Sequence, residues 1–144
     1  MIPFSPPRID QKVIDEVTKC LSSGWITTGS RTKTFEKKIA EYAGCGNVLA
    51  VNSWTAGAEM LLHWFGIGPG DEVIVPAYTY CATANIIIHC GAKPVLVDVN
   101  EDFCINFESL DNLISPKTKA IISVDLGGLP VDYEKINSII NKKE

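Results

Sequence analysis

The sequence has no long apolar run and no concentration of positive charge. No stretch approaches the roughly 20 consecutive apolar residues that a membrane span needs, and the net charge of −4 comes without a block of lysine and arginine. We therefore expect no membrane-spanning segment and no nucleic-acid partner. The opening residues MIPFSPPRID lack the charged lead and apolar block of a signal peptide, which predicts a cytoplasmic protein.

Cysteine and histidine are present, but not in the spacing of a metal site. The five cysteines are widely separated and no two form a C-x-x-C pair, so neither a zinc site nor a redox pair is expected. We expect the cysteines to be reduced and mostly buried. His63 and His89, the two histidines, lie on apolar helical stretches and are expected to pack or to cap helices rather than to bind metal.

The glycine-rich phosphate loops of nucleotide-binding folds are also absent. Neither G-x-G-x-x-G nor G-x-x-x-x-G-K-[ST] occurs, which argues against a dinucleotide or nucleoside triphosphate site. What is present is ordinary for one globular domain: 144 residues, of which 46% are hydrophobic and 21% are charged.

The first part of the chain is predicted to form an extended arm followed by two helices. Asp10 is a predicted N-cap, and the apolar residues that follow it recur on one face of a helix. A second amphipathic helix is predicted from about Thr32, with Gly44 as its C-terminal cap. The apolar positions of the first helix are Val13, Ile14, Val17 and Leu21, and those of the second are Phe35, Ile39 and Tyr42.

From Asn47 onward, short β-branched runs alternate with helical stretches. Continuous apolar strands separated by helices predict an α/β fold with a mainly parallel sheet flanked by helices. The chain stops in NKKE after a helix, and nothing then covers the last strand, so we expect the sheet to continue in a longer protein. The predicted strands are NVLAV, EVIVP, KPVLVDV and KAIISVD, and the predicted helices are TAGAEMLLHWFGI, CATANIIIHCG, FESLDNLI and VDYEKINSIINKK.

The turn NSWTAG is a candidate anion site, because ligands of parallel sheets bind at the carboxyl ends of the strands. A helix that begins near Thr55 would leave the amides of Thr55, Ala56 and Gly57 free to bind an anion, helped by the helix dipole. The hydroxyl of Ser53 or Thr55 could add a hydrogen bond. An ordinary N-cap explains the same residues, and both interpretations remain open.

Two further turns arrive at the same edge of the predicted sheet. Tyr78 and Tyr80 follow EVIVP, where an aromatic ring could stack on a flat heteroaromatic ligand. We expect the two to lie on opposite sides, so that one of them meets a ligand; the alternative is a pair of core tyrosines. In SVDLGGLPVD, Asp125 ends a strand, and a structural or capping role is favoured over a role in binding.

Four segments resemble, in order and at matching spacing, the sugar aminotransferases of the DegT/StrS type. This resemblance runs from about Pro3 to the end of the chain. It implies the large domain of a fold-type I enzyme that uses pyridoxal 5'-phosphate (PLP) to make amino sugars on nucleotide carriers. The four segments are SGWITTGSRTKTFEKKIAEYAG, VNSWTAGAEMLL, GIGPGDEVIVPAYTYCATANIIIHCGAKPVLVDV and ISPKTKAIISVDLGGLPVDYEKI.

The resemblance implies a cofactor role for the first two turns. In the family, the turn that matches NSWTAG binds the PLP phosphate through the positions of Thr55 and Ala56, with Ser53 in the same turn. The aromatic residue that matches Tyr80 stacks on the pyridine ring. No metal is implied.

The resemblance also implies a substrate pocket, with two departures from the family pattern. The segment from Trp25 through Thr28 to Gly29 borders that pocket near the subunit interface. Trp54 stands where family members more often carry a small residue, so it narrows the pocket or packs on a dimer partner. Asp125-Leu126-Gly127-Gly128 stands where His-Leu-Tyr-Gly is common in the family. The identity of the substrate therefore cannot be taken over from a close relative.

The family's Schiff-base lysine, and the aspartate that pairs with the pyridine nitrogen, match positions beyond Glu144. The resemblance therefore implies an N-terminal fragment without a catalytic residue of its own, with an arm and helix over residues 1–30 and the first part of the PLP-binding domain over residues 31–144. The parent would be a homodimer that transfers an amino group from a donor such as glutamate to a nucleotide-linked keto sugar. A PLP-dependent sugar dehydratase and a non-catalytic binding domain are the alternatives.

Overall fold

The computed structural model describes residues 5–143, and the chain divides into one compact unit that ends at Ala50 and another that starts at Val51. The first unit holds helices α1 (Gln11–Ser22) and α2 (Ser30–Ala43). The second holds strands β1 (Glu72–Pro76), β2 (Lys93–Val97) and β3 (Thr118–Ile121), helices α3 (Trp54–Trp64), α4 (Ala82–His89), α5 (Phe107–Leu113) and α6 (Tyr133–Asn141), and a 3-10 turn (Leu126–Gly128).

The helix ends of the first unit agree with the prediction. The side chain of Asp10 accepts a hydrogen bond from the amide of Val13 at 3.1 Å, so Asp10 is the N-cap of α1. Gly44 ends α2 with a φ of 66°, the left-handed conformation that glycine adopts without steric cost. Helix α2 begins at Ser30, slightly before the predicted start.

The sheet of the second unit is parallel, as predicted, with β1 in the centre and the strand order β2-β1-β3. Successive side chains of β1 point to opposite faces. Val73 and Val75 pack with residues of α3 and α4, whereas Ile74 packs with residues of α5 and α6. All three side chains are fully buried, because helices cover both faces of the strand.

The predicted strand NVLAV is not a strand in the structure. Residues 47–51 form no ladder with any described strand, and β1 already has a neighbour on each side. Leu49 and Val51 remain exposed. A β-branched run supplies the propensity for a strand, but a strand also needs a partner for its backbone hydrogen bonds.

The cysteines are all free thiols, but only two of them are buried, so the expectation of mostly buried cysteines was wrong. Cys90 and Cys104 are buried, and desolvation raises the pKa of both thiols, which keeps them protonated. His63 packs against Cys90, with Nε2 3.7 Å from Sγ. His89 pairs with Glu59 at 3.2 Å, so both histidines have local partners.

Glu72 connects the starts of all three strands. Its carboxylate accepts hydrogen bonds from Ser115 Oγ at 2.7 Å and from Lys93 Nζ at 3.0 Å, while its amide donates to the carbonyl of Lys117 at 2.8 Å. The hydrogen bonds from Ser115 and Lys93 hold the pKa of Glu72 below its usual value. The ionised carboxylate is therefore part of the folded sheet.

The lowered pKa of Glu72 predicts a pH-dependent contribution to stability. The contribution is present above the unfolded-state pKa and is lost as the pH falls through the lower, folded-state pKa. The Glu72→Gln variant should therefore be less stable than the natural protein at pH 7, and the difference should shrink towards about pH 3. Urea unfolding at both pH values measures it. Glu101→Gln, at an exposed turn, is the control, and an equal pH dependence in the two variants would contradict the assignment.

Candidate cofactor site

An open pocket of about 350 Å³ lies in the second unit where the loops after β1 and β3 meet the start of α3. Trp54, the first residue of α3, forms one wall. The loop after β1 contributes Thr79 and Tyr80, and Thr83 follows in α4. The loop after β3 contributes the segment from Ser123 to Leu126, which includes Asp125. The structure thus brings Trp54, Tyr80 and Asp125 to one place.

The two tyrosines after β1 have different surroundings. Tyr80 lines the pocket and is 78% exposed, so its ring is free to meet a ligand. Tyr78 packs on Phe103 instead, with ring centroids 4.9 Å apart and planes inclined by 32°. One tyrosine of the pair faces the pocket and neither belongs to the core. The spacing does not explain this difference, because residues two apart share a side of an extended chain; the backbone bends through residues 77–79 instead.

The start of α3 has the geometry of a capped helix. Ser53 is the N-cap, and its hydroxyl accepts a hydrogen bond from the amide of Ala56 at 3.1 Å. The amide of Gly57 donates to the carbonyl of Ser53 at 3.2 Å. The expectation of three free amides was therefore wrong, because two of them are used inside the helix; among the described residues, the amide of Thr55 has no acceptor.

Asp125 holds the loop after β3 in shape. Its Oδ1 accepts hydrogen bonds from the amide of Val131 at 3.0 Å and from the hydroxyl of Tyr133 at 2.9 Å. These bonds tie the 3-10 turn to the start of α6. Gly127 and Gly128 between them have positive φ values of 63° and 85°, which a residue with a Cβ adopts only with strain. Asp125 thus has structural partners while it also lines the pocket.

Trp25 and Thr28 lie in the first unit, where they contact each other. The indole Nε1 of Trp25 donates to the carbonyl of Thr28 at 3.1 Å. Gly29 leaves room for the ring, because a Cβ at that position would lie only 2.7 Å from Trp25 Cδ1. Both residues line a pocket of about 330 Å³ within this unit. Their predicted role beside a substrate stays a prediction.

Comparison with known proteins identifies the family. The family model described as the DegT/DnrJ/EryC1/StrS aminotransferase family matches residues 7–144. The chain belongs to this family. The resemblance in the sequence segments is thereby confirmed, as is the α/β fold of a PLP-dependent aminotransferase.

Three relatives show how far the similarity extends. The spore coat polysaccharide biosynthesis protein SpsC of Bacillus subtilis is 41% identical over 140 residues, which are 96% of this chain and 36% of SpsC. Spr1654 of Streptococcus pneumoniae, named as a candidate sugar aminotransferase, is 45% identical with a TM-score of 0.95 over 99% of this chain and 36% of its own. An aminotransferase from Psychrobacter cryohalolentis is 35% identical with a TM-score of 0.90, covering 97% and 36% of the two chains.

This chain therefore spans about a third of the length of these relatives. Spr1654 has been solved without cofactor and in PLP and pyridoxamine phosphate forms. PLP is thus the cofactor of a solved relative whose fold superposes on nearly all of this chain.

Several pocket residues were missed from the sequence. Thr79, Thr83 and Ser123 line the pocket, although only Tyr80 and Asp125 were singled out in their loops. The hydroxyls of Thr79 and Thr83 lie 3.0 Å apart, and Thr83 is buried. Two threonines four positions apart, directly after a strand, were the available signal, because that spacing places both on one side of a helix start.

Three features are absent from residues 5–143 or from the pocket. In residues 5–143, no group of three or more histidine, cysteine or acidic side chains could hold a metal ion. No described helix is both long and apolar enough to cross a membrane. None of the residues that line the pocket is a lysine, so the described chain offers no amine there for covalent chemistry.

Proposed function

We propose that this chain is the N-terminal part of a PLP-dependent aminotransferase that acts on a nucleotide-linked keto sugar. The observation that carries the proposal is the pocket at the ends of β1 and β3, where Tyr80 presents an exposed ring beside the N-terminus of α3. Family membership and the PLP form of Spr1654 support it. Glutamate is the proposed amino donor, and a cytoplasmic homodimer is the proposed form of the whole protein.

The residues at the pocket fit PLP. A volume of about 350 Å³ is within the range of small-ligand sites. Tyr80 can stack on a pyridine ring. Thr55, which follows the pocket wall at Trp54, has a hydroxyl and an amide that is free among the described residues, and both can hold the phosphate at the positive end of an 11-residue helix. Ser53 and Ala56 flank it, and their mutual hydrogen bond would have to open for either group to bind the phosphate directly. PLP supplies the electron sink of transamination when it is bound.

Trp54 and Asp125 are the proposed substrate-pocket residues of the second unit. The indole of Trp54 occupies space at the pocket wall that a smaller residue would leave open. Asp125 adds a carboxylate whose orientation is set by Val131 and Tyr133. Together they favour a substrate with hydrogen-bond donors and limited bulk at this position. The proposed roles of Trp25 and Thr28 rest on the resemblance alone.

The reaction is tested with the full-length protein, PLP, glutamate and a panel of nucleotide-linked keto sugars. The expected result is an aminated sugar nucleotide and one equivalent of 2-oxoglutarate. Loss of water from the sugar without consumption of glutamate would contradict the aminotransferase and support a dehydratase. A protein that binds no PLP would contradict both.

The hydroxyl of Thr55 is expected to bind the phosphate. Thr55→Val keeps the shape of the side chain but leaves the charged phosphate one hydrogen bond short, which costs about 1.5 kcal/mol. The affinity for PLP should fall roughly tenfold. Titration of the cofactor-free, full-length protein measures the change. Thr55→Ser, which keeps the hydroxyl, should bind PLP nearly as well as the natural protein; equal affinities for the Val and Ser variants would mean that the backbone alone holds the phosphate or that the site lies elsewhere.

A further inference from the structure

The ring of Tyr80 has no direct support of its own. It is 78% exposed, and its hydroxyl has no hydrogen-bond partner in residues 5–143. Its position is therefore set by the turn that carries it. On the C-terminal side, this turn is held by the amide of Thr83, which donates to the carbonyl of Tyr80 at 3.0 Å, and by the contact between the Thr79 and Thr83 hydroxyls.

On the N-terminal side, the turn is held by the last residue of β2 and by the loop after it. The amide of Ala77 donates to the carbonyl of Val97 at 2.8 Å. Beyond this bond, the side-chain support is the packing of Tyr78 on Phe103, a residue of the next loop along the sheet. Tyr78 and Tyr80 are separated by one residue, so a displacement of Tyr78 moves the backbone that carries Tyr80.

Phe103 stands in a conformation that suits glycine better. Its φ is 64°, and Ser5 is the other described residue besides glycine with a positive φ. The surrounding turn fixes this conformation through the bond from the Phe103 amide to the Asn100 carbonyl and the bond from the Asn100 amide to the Cys104 carbonyl, both 2.9 Å. A bulky aromatic residue at a left-handed position points to a use for its side chain.

We propose that Phe103 is a positioning residue for the turn that carries Tyr80. The strained backbone at Phe103 presents its ring to Tyr78, and this packing fixes the direction in which Tyr80 enters the pocket. The inference rests on the proposed PLP function, because it assigns Phe103 a role in the geometry of the cofactor's stacking partner. Phe103 itself is not among the residues that line the pocket.

The test uses Phe103→Gly in the full-length protein. Glycine accepts the left-handed conformation, so the turn itself remains formed, while the ring is lost. We expect the affinity for PLP to fall about fivefold and the visible circular dichroism of bound PLP to weaken. Phe103→Tyr keeps an aromatic ring and should restore both. If Phe103 only shapes the turn, Phe103→Gly will bind PLP with the natural affinity and an unchanged spectrum, and the proposal is wrong.

A second measurement does not depend on the cofactor. Hydrogen–deuterium exchange of the PLP-free protein should be faster for residues 77–83 in Phe103→Gly than in the natural protein. Phe107→Leu is the matched control. Phe107 is a half-buried ring of α5, and it packs on the face of the sheet opposite to α4, the helix that follows the Tyr80 turn. It should leave that exchange rate and the PLP affinity unchanged; an equal effect of the two variants would overturn the proposal.

A double variant that combines Tyr78→Leu with Phe103→Gly separates a positioning role of Phe103 from a general loss of stability. If Phe103 acts through Tyr78, then Tyr78→Leu and Phe103→Gly remove the same support, and their combination should reduce PLP affinity no more than either change alone. Additive losses would contradict the coupling. Failure of the natural protein to bind PLP would instead contradict the proposed function, while faster exchange at residues 77–83 would still support the packing role of Phe103.

Discussion

Residues 1–144 produced on their own are expected to show no transamination and to lose PLP during gel filtration. Enzymes of this chemical class use an amine that binds the cofactor covalently and then moves a proton. No lysine lines the pocket in the described chain. The N-terminus of α3 and the Tyr80 ring together contribute only a few kcal/mol to the free energy of PLP binding, before the entropy lost on binding is subtracted.

The measurement is the absorbance spectrum of the purified chain mixed with PLP, before and after borohydride reduction and gel filtration. The full-length protein is the control and should retain the cofactor. The isolated chain should also self-associate, because within residues 5–143 β2 and β3 each have an unpaired edge and α1 carries exposed apolar residues. A reduced adduct on one specific lysine, together with turnover of a keto sugar, would contradict this prediction.

Tyr80→Ala in the full-length protein is expected to lower the affinity for PLP roughly thirtyfold. Removal of a ring that stacks on a flat heteroaromatic group costs about 2 kcal/mol, by analogy with stacked nucleobases. The exposed ring of Tyr80 lines the pocket, and no other aromatic side chain besides Trp54 does so among the described residues. Loss of cofactor absorbance on dialysis, followed by titration of the cofactor-free protein, gives the magnitude.

Tyr78→Ala is the comparison for this change. Tyr78 packs on Phe103 rather than lining the pocket, so its loss should weaken PLP binding only indirectly and to a smaller extent. Tyr80→Phe should bind nearly as well as the natural protein, because stacking needs the ring and not the hydroxyl. Equal losses in Tyr78→Ala and Tyr80→Ala would remove the basis for assigning the stacking role to Tyr80.

The elements that the sequence predicts well are those whose pattern is local. EVIVP is the central strand β1 with the predicted bounds, since a short apolar run ending in proline has few alternatives. Asp10 and Gly44 mark helix ends through their own hydrogen bonds and backbone conformation.

The features that the sequence does not predict depend on residues far apart in the chain. Residues 47–51 have strand propensity, but pairing is decided by the strands available to them. The amides at the start of α3 look free in sequence, yet Ser53 uses the one from Ala56. The packing of Phe103 on Tyr78 joins loops after different strands, and the positive φ of Phe103 has no signature in a phenylalanine.

The strand order β2-β1-β3 has a consequence for how this family member can diversify. The chain passes from β1 to β2 on one side and then crosses back to β3 on the other side of β1. The loops after β1 and β3 therefore run in different directions and leave a crevice between them. The proposed cofactor site is therefore produced by the path of the backbone. Trp54, an exposed residue that lines this pocket, can be exchanged for another residue without disturbing the buried side chains of β1, so the shape of the pocket can change while the sheet is preserved.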